Sequence, residues 1–202
     1  FEQVKGIGHA KAENIYQALH SSVDIASKAE DALRTVKSDG NSRATHHGVF
    51  DLAYLCPIPN LVIASPLNEL DLRNLMYTGY AAFNGPFVIR YPRGKGEMKD
   101  WRNEMQVLPI GKGKKLRDGD DIAVLSIGPI GNEVIKAIEM VKEAGVSIAH
   151  YDMIYLKPLD EELLHEIGQK YNRIITVENG VIKGGLVALS LSLWQTMAIR
   201  LM

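Results

Sequence analysis

The chain has 202 residues, of which 46% are hydrophobic and 23% are charged, and its formal net charge is −1. A chain so close to neutral has no long-range field that attracts nucleic acid or an anionic membrane, so a nucleic-acid partner would need a local basic patch. No apolar run reaches the ~18 residues of a membrane-spanning helix, and we predict no membrane partner. The single cysteine, Cys56, excludes an internal disulfide and suits a reducing compartment. We therefore expect a cytoplasmic protein.

Residues 1–44 are polar and carry apolar residues at roughly helical spacing, which predicts a helical segment of unassigned origin. Near its start, Val4-Lys5-Gly6-Ile7-Gly8 resembles the turn of helix-hairpin-helix DNA-binding modules. The backbone amides of such a turn meet a phosphate, as the N-termini of helices do. Two interpretations stay open: a DNA-binding segment at 1–20, or a helical pair without that function, which the mixture of acidic and basic residues favours.

Residues 45–93 have the pattern of a strand, a helix and a second strand. The continuous apolar run at 61–64 is typical of a strand buried on both faces. Asn68 is a suitable N-cap for the helix, and Asp71 stands where a carboxylate suits the positive end of the helix dipole. Residues 86–90 form the second strand, which this arrangement predicts to be parallel to the first. The helix is predicted to bury one face, made of Leu72, Leu75, Met76 and Gly79.

The segment 94–120 is rich in Gly, Lys and Asp and is interpreted as a linker. Residues 121–178 then alternate strands and helices, with strands at 122–127, 146–149 and 173–178. The helix between the first two strands ends at Gly145, and the next helix starts at Leu159-Asp160. This pattern predicts a compact α/β domain with parallel strands and crossover helices. The first helix carries an apolar stripe of Val134, Ile135, Ile138 and Val141.

Thr45-His46-His47-Gly48 is the stretch that offers the most chemistry. Imidazole is the side chain best suited to move protons near neutral pH, and a loop that leads into an α/β unit can direct one ring toward a ligand. The alternative is a surface loop with incidental histidines. Neighbouring side chains rarely converge on one ion, and no Cys or carboxylate cluster accompanies these two, so we predict no metal site.

Tyr91-Pro92-Arg93-Gly94 directly follows a predicted buried strand. In open α/β sheets, ligands bind beyond the carboxyl ends of the strands. An arginine at such a place can hold a phosphate through paired donors. The alternative is an arginine paired with a surface carboxylate.

Six segments form one ordered set along the chain. They are Thr-His-His-Gly-Val-Phe-Asp-Leu-Ala-Tyr-Leu (45–55), Ile-Pro-Asn-Leu-Val-Ile-Ala-Ser-Pro (58–66), Tyr-Pro-Arg-Gly (91–94), Leu-Pro-Ile-Gly-Lys-Gly (108–113), Leu-Lys-Pro-Leu-Asp (156–160) and Thr-Val-Glu-Asn-Gly-Val-Ile-Lys-Gly-Gly (176–185). Over residues 45–186 this set resembles the 1-deoxy-D-xylulose-5-phosphate synthase family, thiamine-diphosphate enzymes of the transketolase group. The six segments together identify this family far more specifically than any one of them does alone.

The resemblance implies an α/β fold with two parts. Residues 45–93 would end a transketolase-like pyrimidine-binding domain, and residues 121–186 would begin a three-layer C-terminal domain that mainly supports a dimer. By position, His46 matches the family's active-site histidine, and Arg93 matches the arginine that binds the phosphate of the acceptor.

The resemblance also implies an activity. The family's enzymes are homodimeric transferases that need thiamine diphosphate and magnesium (Mg2+). They condense pyruvate with glyceraldehyde 3-phosphate, release carbon dioxide, and serve the synthesis of isoprenoid and thiamine precursors. We therefore expect small-molecule substrates in the parent enzyme and a homo-oligomer.

Parts of that machinery are missing from the 202 residues. The chain has no Gly-Asp-Gly metal motif, and it lacks the glutamate that activates the aminopyrimidine of the cofactor, expected upstream of residue 45. We therefore predict a fragment that is inactive alone and binds neither thiamine diphosphate nor magnesium by itself, and we assign no cofactor-binding residue. The alternatives are a non-catalytic dimerisation or interaction domain, and a fusion with a DNA-binding segment at 1–20.

Residues 187–202 depart from the family's pattern and are interpreted as a divergent tail. Trp194-Gln195-Thr196-Met197-Ala198-Ile199 can be encoded so that a one-base shift reads Met-Ala-Asp-Asn-Gly-Tyr, a segment that the family carries. We hypothesise a frameshift near Leu186, which the coding DNA would test. On this hypothesis the tail was never selected to pack, and the loss of the family's last strands leaves an exposed sheet edge.

Overall fold

The computed structural model of the chain describes residues 48–92, 96, 98, 100, 102–141 and 145–196. The predicted helical segment 1–44, with its DNA-binding interpretation, lies outside these residues. In chain order the elements are α1 (Asp51–Leu55), β1 (Val62–Ala64), α2 (Glu69–Ala81), β2 (Phe87–Ile89), β3 (Lys114–Arg117), β4 (Ile122–Ile127), α3 (Ile130–Val141), β5 (Ile148–Asp152), β6 (Tyr155–Lys157), α4 (Glu161–Lys170), β7 (Ile174–Glu178) and α5 (Leu186–Thr196). No helix within the described ranges is long and apolar enough to cross a membrane.

The strand–helix–strand unit predicted in the first half is confirmed. Strands β1 and β2 pair in parallel, with Ile63 opposite Val88, and every residue of β1 is buried. Helix α2 connects them, and its first turn is capped by the side-chain oxygen of Asn68, which accepts a hydrogen bond from the Asp71 amide at 2.9 Å. A capping side chain at this place satisfies one of the otherwise unpaired amides at the helix start.

The predicted buried face of α2 is wrong in part. Met76 is 61% exposed, whereas Asn74 and Thr78 are buried beside Leu75. The polar residues can be buried because each has a partner: the Asn74 side chain accepts from the Gln106 amide at 3.1 Å, and Thr78 Oγ1 accepts from the Leu108 amide at 2.8 Å. Hydrophobic periodicity alone misplaced the face because these partners come from a distant segment of the chain.

The second sheet has the order β3-β5-β4-β7, in which β4 pairs in parallel with both β5 and β7. Alternate residues of β4 point to opposite faces, so Ile122 and Val124 pack with α3 while Ala123 and Leu125 pack with α4 and α5. This gives the three layers expected of the second part, and the predicted α/β class is confirmed. Helix α3 buries Val134, Ile138 and Val141 of its predicted stripe, whereas Ile135 is exposed.

Strand β3 lies within the segment that was interpreted as a linker. Lys114–Arg117 pairs antiparallel with β5, with Lys114 opposite Asp152 and Lys115 opposite Tyr151. The sequence Lys-Lys-Leu-Arg lacks apolar alternation because the strand lies at the edge of the sheet, where exposed lysines are tolerated and discourage further pairing. The linker interpretation is therefore corrected over these four residues.

The two sheets are joined by backbone contacts through Met153 and Ile154. The Met153 amide donates to the carbonyl of Ser126 at the end of β4, and the Ile154 carbonyl accepts from the Ser65 amide just after β1, each at 2.8 Å. Ile154 has φ +52°, a left-handed conformation that redirects the chain into β6. Strand β6 then pairs antiparallel with β1, so the second half of the chain contributes a strand to the first sheet.

Most of the tail that was interpreted as divergent forms helix α5, and this helix packs against the rest of the protein. Leu186 and Trp194 of α5 are buried, and Trp194 Nε1 donates to the Leu164 carbonyl of α4 at 2.8 Å. Within the described residues β7 pairs only with β4, so it is the edge strand on this side. The frameshift remains a hypothesis about the gene, whereas the apolar composition of this stretch is sufficient to make a packed helix.

Candidate functional site

The two residues predicted to act on substrate lie outside the described part of the chain. His46 precedes its first residue, Gly48, and Arg93 follows Pro92. Their roles, active-site histidine and phosphate-binding arginine, therefore stay predictions. The described residues on either side of them show what surrounds the site.

The carboxyl ends of β1 and β2 are locked together where the site is expected. The Arg90 amide donates to the Ala64 carbonyl, and Ser65 Oγ donates to the Arg90 carbonyl, each at 2.8 Å. Because both strands run in the same direction, the residues that follow them emerge at the same edge of the sheet. The Tyr-Pro-Arg-Gly segment thus leaves the sheet from an anchored backbone.

The side chain of Arg90 connects three separate segments. Its Nε donates to the Gly48 carbonyl at 3.2 Å, and its Nη2 donates to the Asn179 carbonyl at 2.5 Å. Burial lowers the pKa of the Arg90 guanidinium, while the nearby carboxylates of Asp51 and Glu178 oppose that change. A guanidinium keeps its charge even so, and its donors are fixed in a planar fork. Arg90 is therefore a rigid, charged connector rather than a group that exchanges protons.

Gly48 lies against the side chain of Asp51. A Cβ built on it would lie 2.3 Å from Oδ2 of Asp51, which begins α1. Helix α1 in turn rests on the second half of the chain, where a Cβ on Gly184 would lie 3.1 Å from that of Ala53. The Asp51 carboxylate is the end of a flexible side chain that can move aside, so packing alone does not require glycine at position 48.

Glu178 fixes the turn that Arg90 contacts. Its carboxylate accepts from the amides of Leu186 at 3.0 Å and Val187 at 3.3 Å, which are the first amides of α5. Burial raises the pKa of Glu178, and the two amides and the positive charge of Arg90 oppose that rise. A carboxylate at the N-terminus of a helix is stabilised by the unpaired amides and the helix dipole.

A second polar cluster lies between α2 and the second sheet. Lys114 Nζ is 2.9 Å from Oδ2 of Asp71 and 3.8 Å from Oδ2 of Asp152. Burial raises the pKa of Asp152 to about 7, although the charge of Lys114 opposes the change. Nearby, Nε2 of His150 lies 2.8 Å from Ser126 Oγ, and burial lowers the pKa of His150 to about 4. Ser126, His150 and Asp152 are fully buried and only Lys114 reaches the surface, so we interpret the cluster as structural.

No metal site emerges within the described ranges, where no group of three or more His, Cys, Asp or Glu side chains could hold an ion. The thiol of Cys56 is half-buried, and burial raises its pKa, which disfavours the reactive thiolate. The described residues therefore arrange and support a site without supplying a metal centre or an activated thiol.

Two family models match the chain. Residues 33–98 match the transketolase pyrimidine binding domain, and residues 111–201 match the transketolase C-terminal domain. A 1-deoxy-D-xylulose-5-phosphate synthase of Parabacteroides distasonis is 95% identical over 146 residues, which are 72% of this chain and 23% of that protein. This chain is a partial match to 1-deoxy-D-xylulose-5-phosphate synthase. The match to the C-terminal model includes most of the segment interpreted as a divergent tail.

More distant relatives show the same partial coverage. The synthase of Bacteroides fragilis is 57% identical over 148 residues, or 73% of this chain and 23% of that synthase. The synthase of Porphyromonas gingivalis is 59% identical over 146 residues, or 72% of this chain and 23% of that synthase. The chain thus spans about 23% of the length of the synthases it matches.

A solved structure has the same fold. The chain titled "Split gene transketolase, inactive beta4 tetramer" aligns with a TM-score of 0.64 over 75% of this chain and 50% of that one, at 24% identity. This identity shows the fold alone.

Sequence patterns missed Arg90 as part of the site region and left open whether the turn at Asn179 faces it. Arg90 stands just before the motif Tyr91-Pro92-Arg93-Gly94, and Asn179 is inside the motif at 176–185, just after β7. The available signal was an arginine at the end of a buried strand, where a charge needs partners. Which partners it has depends on segments that are 42 and 89 residues away in sequence.

Proposed function

We propose that this chain is a fragment of a 1-deoxy-D-xylulose-5-phosphate synthase and is inactive by itself. In this proposal the complete enzyme is a transketolase-type transferase that condenses pyruvate with glyceraldehyde 3-phosphate and releases carbon dioxide, for isoprenoid and thiamine precursors. The observation that carries the proposal is the 95% identity over 146 residues to a synthase of which the chain spans 23%.

Arg93 is assigned to the phosphate of glyceraldehyde 3-phosphate. It is three residues beyond Arg90, whose backbone is fixed at both its amide and its carbonyl by the end of β1. Anions bind well beyond the carboxyl ends of parallel strands, and an arginine can hold phosphate oxygens with two donors. The role of His46 as an active-site histidine is supported by its place two residues before Gly48, whose carbonyl is held at the same edge.

Thiamine diphosphate with magnesium is the cofactor of the complete enzyme in this proposal. The residues described here do not fit the metal-bound diphosphate, because none of their acidic, histidine or cysteine side chains form an ion-holding group. The 202 residues also contain no Gly-Asp-Gly. We therefore expect this chain alone to bind the cofactor weakly or not at all.

We also propose that the chain forms homo-oligomers. The transketolase neighbour in the solved structure is titled a tetramer. The edge strand β7, which pairs on one side only within the described residues, offers unpaired backbone groups of the kind that association covers.

A graft into the complete enzyme tests the proposal. The matching 146-residue stretch of the Parabacteroides distasonis synthase is replaced by that of this chain. We expect the hybrid to retain synthase activity, and an inactive but folded hybrid would contradict the proposal. In the hybrid, Arg93→Ala should raise KM for glyceraldehyde 3-phosphate at least about tenfold, since a charge-assisted hydrogen bond is worth ~1.5–3 kcal/mol. The KM for pyruvate should change little.

Two further variants of the hybrid enzyme distinguish the role of His46 from that of Arg93. His46→Gln in the hybrid should lower kcat more than it raises either KM, because an active-site histidine acts on the reacting groups. Arg73→Ala is the matched control, because the Arg73 side chain donates to the Asn103 carbonyl on the surface of α2. Equal effects of Arg93→Ala and Arg73→Ala would remove the phosphate assignment.

Calorimetry of the chain alone tests its predicted inactivity. Thiamine diphosphate with magnesium is titrated into the full 202-residue chain, with the complete Parabacteroides distasonis synthase as the positive control. Tight binding by the chain alone would contradict the proposal that the cofactor is held elsewhere in the complete enzyme. The coding DNA on both sides of the chain tests both the fragment and the frameshift hypotheses.

A further inference from the structure

We propose that Arg90 is a positioning residue that ties the histidine loop, Thr45-His46-His47-Gly48, to the turn Glu178-Asn179-Gly180 that follows β7. The second half of the chain would then help to place the active-site histidine, rather than serve only as support for a dimer. This inference rests on the proposed function, because it takes His46 as a residue of the active site.

The first observation is that, among the described residues, the side chain of Arg90 donates to backbone carbonyl oxygens and not to carboxylates. Within the described part of the chain, its side chain donates to two backbone carbonyls, Gly48 at 3.2 Å and Asn179 at 2.5 Å, and these belong to two separate segments. An arginine that only balanced charge would favour the carboxylates of Asp51 and Glu178, which lie close enough to affect its pKa. Because the acceptors are backbone atoms, the contact fixes the course of the chain on both sides.

The second observation is that Arg90 is itself immobilised. Its amide donates to Ala64 and its carbonyl accepts from Ser65 Oγ, both at 2.8 Å. Because the backbone of Arg90 is anchored to the sheet, the carbonyls that its side chain holds are kept at fixed positions relative to the sheet. Gly48 is two residues after His46, so the held carbonyl is at the end of the histidine loop.

The third observation is that the other end of the connection is equally fixed. Glu178 accepts two amides from the start of α5, and α5 packs through Trp194 onto α4. The turn at Asn179 therefore rests on the core of the second sheet. Arg90 closes the gap between that core and Gly48, and lysine cannot replace it fully, because one ammonium group lacks the fork that reaches both carbonyls.

Nuclear magnetic resonance on the full chain tests the inference without any catalytic readout. The variant is Arg90→Gln, with Arg90→Lys as the conservative variant and Arg73→Gln as the matched control. Histidine ring signals are recorded, together with amide exchange of Ala53 and Tyr54, which both donate to the Phe50 carbonyl at 3.0 Å just after the loop.

In Arg90→Gln we expect the ring signals of His46 and His47 to shift or broaden, and exchange at Ala53 and Tyr54 to accelerate by about tenfold to a hundredfold, as loss of a charge-assisted hydrogen bond predicts. Exchange in the centre of β4 and the ring signal of His165, on α4, should not change. Arg90→Lys should give an intermediate acceleration, and Arg73→Gln none. If Arg90→Gln does not fold, the same signals and exchange rates are compared between Arg90→Lys, Arg73→Gln and the unmodified chain.

Two outcomes would overturn the inference. Unchanged His46 and His47 signals would mean that Arg90 does not position the loop. Equal acceleration in β4 and α1 would mean that Arg90 contributes only general stability. Neither outcome affects the KM test of Arg93 in the hybrid enzyme, so a failure here is distinguishable from a failure of the proposed function.

Discussion

Replacing Asp152 with asparagine tests how burial and a nearby charge compete in the cluster between the two sheets. Asp152 is fully buried at the end of β5, and its Oδ1 accepts from the Ile154 amide at 3.3 Å. Asparagine retains that acceptor and removes only the charge. Lys114 keeps its shorter contact with Asp71, at 2.9 Å, so the substitution does not leave the ammonium group without a partner.

The magnitude follows from the pKa of Asp152, which burial raises from 3.8 to about 7. Between pH 4 and 7 the unfolded chain has lost this proton and the folded chain still holds it, so the free energy of unfolding falls as the pH rises. A tenfold change in a protonation equilibrium is worth about 1.4 kcal/mol, so the fall amounts to about 4 kcal/mol across this window. Above pH 7 the contribution is constant.

His150 contributes in the opposite direction. Burial lowers its pKa from 6.5 to about 4, so between these values the unfolded chain binds the extra proton. The free energy of unfolding therefore rises with pH across that window, by about 3 kcal/mol. In the unmodified chain the two contributions nearly cancel. In Asp152→Asn only the contribution of His150 remains, so the free energy of unfolding should rise with pH.

The assay is urea unfolding of the full chain at intervals from pH 4 to 8. The stability of Asp152→Asn relative to the unmodified chain should increase by about 4 kcal/mol from pH 4 to 7 and then stay level. Asp118→Asn is the control, because Asp118 is exposed, pairs with Lys115 at 2.5 Å, and has a lowered pKa that keeps it ionised over most of this range. A pH-independent difference for Asp152→Asn would refute the reasoning and mean that the charge of Lys114 fully offsets the effect of burial on the pKa of Asp152.

Three further predictions concern the fold. Trp194→Ala removes a side chain that is 2% exposed, so we expect urea unfolding to show a loss of about 3–5 kcal/mol, and a loss below ~1 kcal/mol would mean that α5 does not pack on α4. Asn68→Ala removes the cap of α2 and should lower the free energy of unfolding by about 1 kcal/mol in the same assay. Asn68→Asp retains a side-chain acceptor and should lose less. Equal stabilities of the two variants would contradict the role of Asn68 as a cap. Gly119→Ala would place a Cβ 2.2 Å from the Ala149 amide nitrogen, so amide exchange in β5 should accelerate. Gly180→Ala, whose Cβ would lie at an ordinary contact distance of 3.4 Å from its nearest neighbour, is its control, and equal exchange in the two variants would contradict the close approach.

Local patterns predicted most of the regular structure correctly. The apolar runs became β1 and β4, whose residues are all buried, and the partly buried edge strand β7, because short apolar runs between turn residues favour strands. Asn68 and Asp160 cap their helices as such residues do, through side-chain oxygens that accept the first amides. These features depend on residues close together in the chain.

Errors arose where a distant segment supplied the partner. Lys114–Arg117 forms a strand only because β5 offers a free edge. Asn74 and Thr78 are buried only because the segment at 106–108 donates to them. No periodicity within either segment carries that information, since the interaction partner decides whether a polar residue can be buried.

For the site, the sequence by itself determined the family resemblance, the anchors His46 and Arg93, and the expectation that the segment after β2 faces a ligand. Those conclusions depend on residue types and on strand ends, which are local. Only the tertiary structure decided that Arg90 holds Gly48 and Asn179 together, and that β6 joins the second half of the chain to the first sheet. The physical reason is that a buried donor must find an acceptor, and folding alone brings acceptors 42 and 89 residues away within reach.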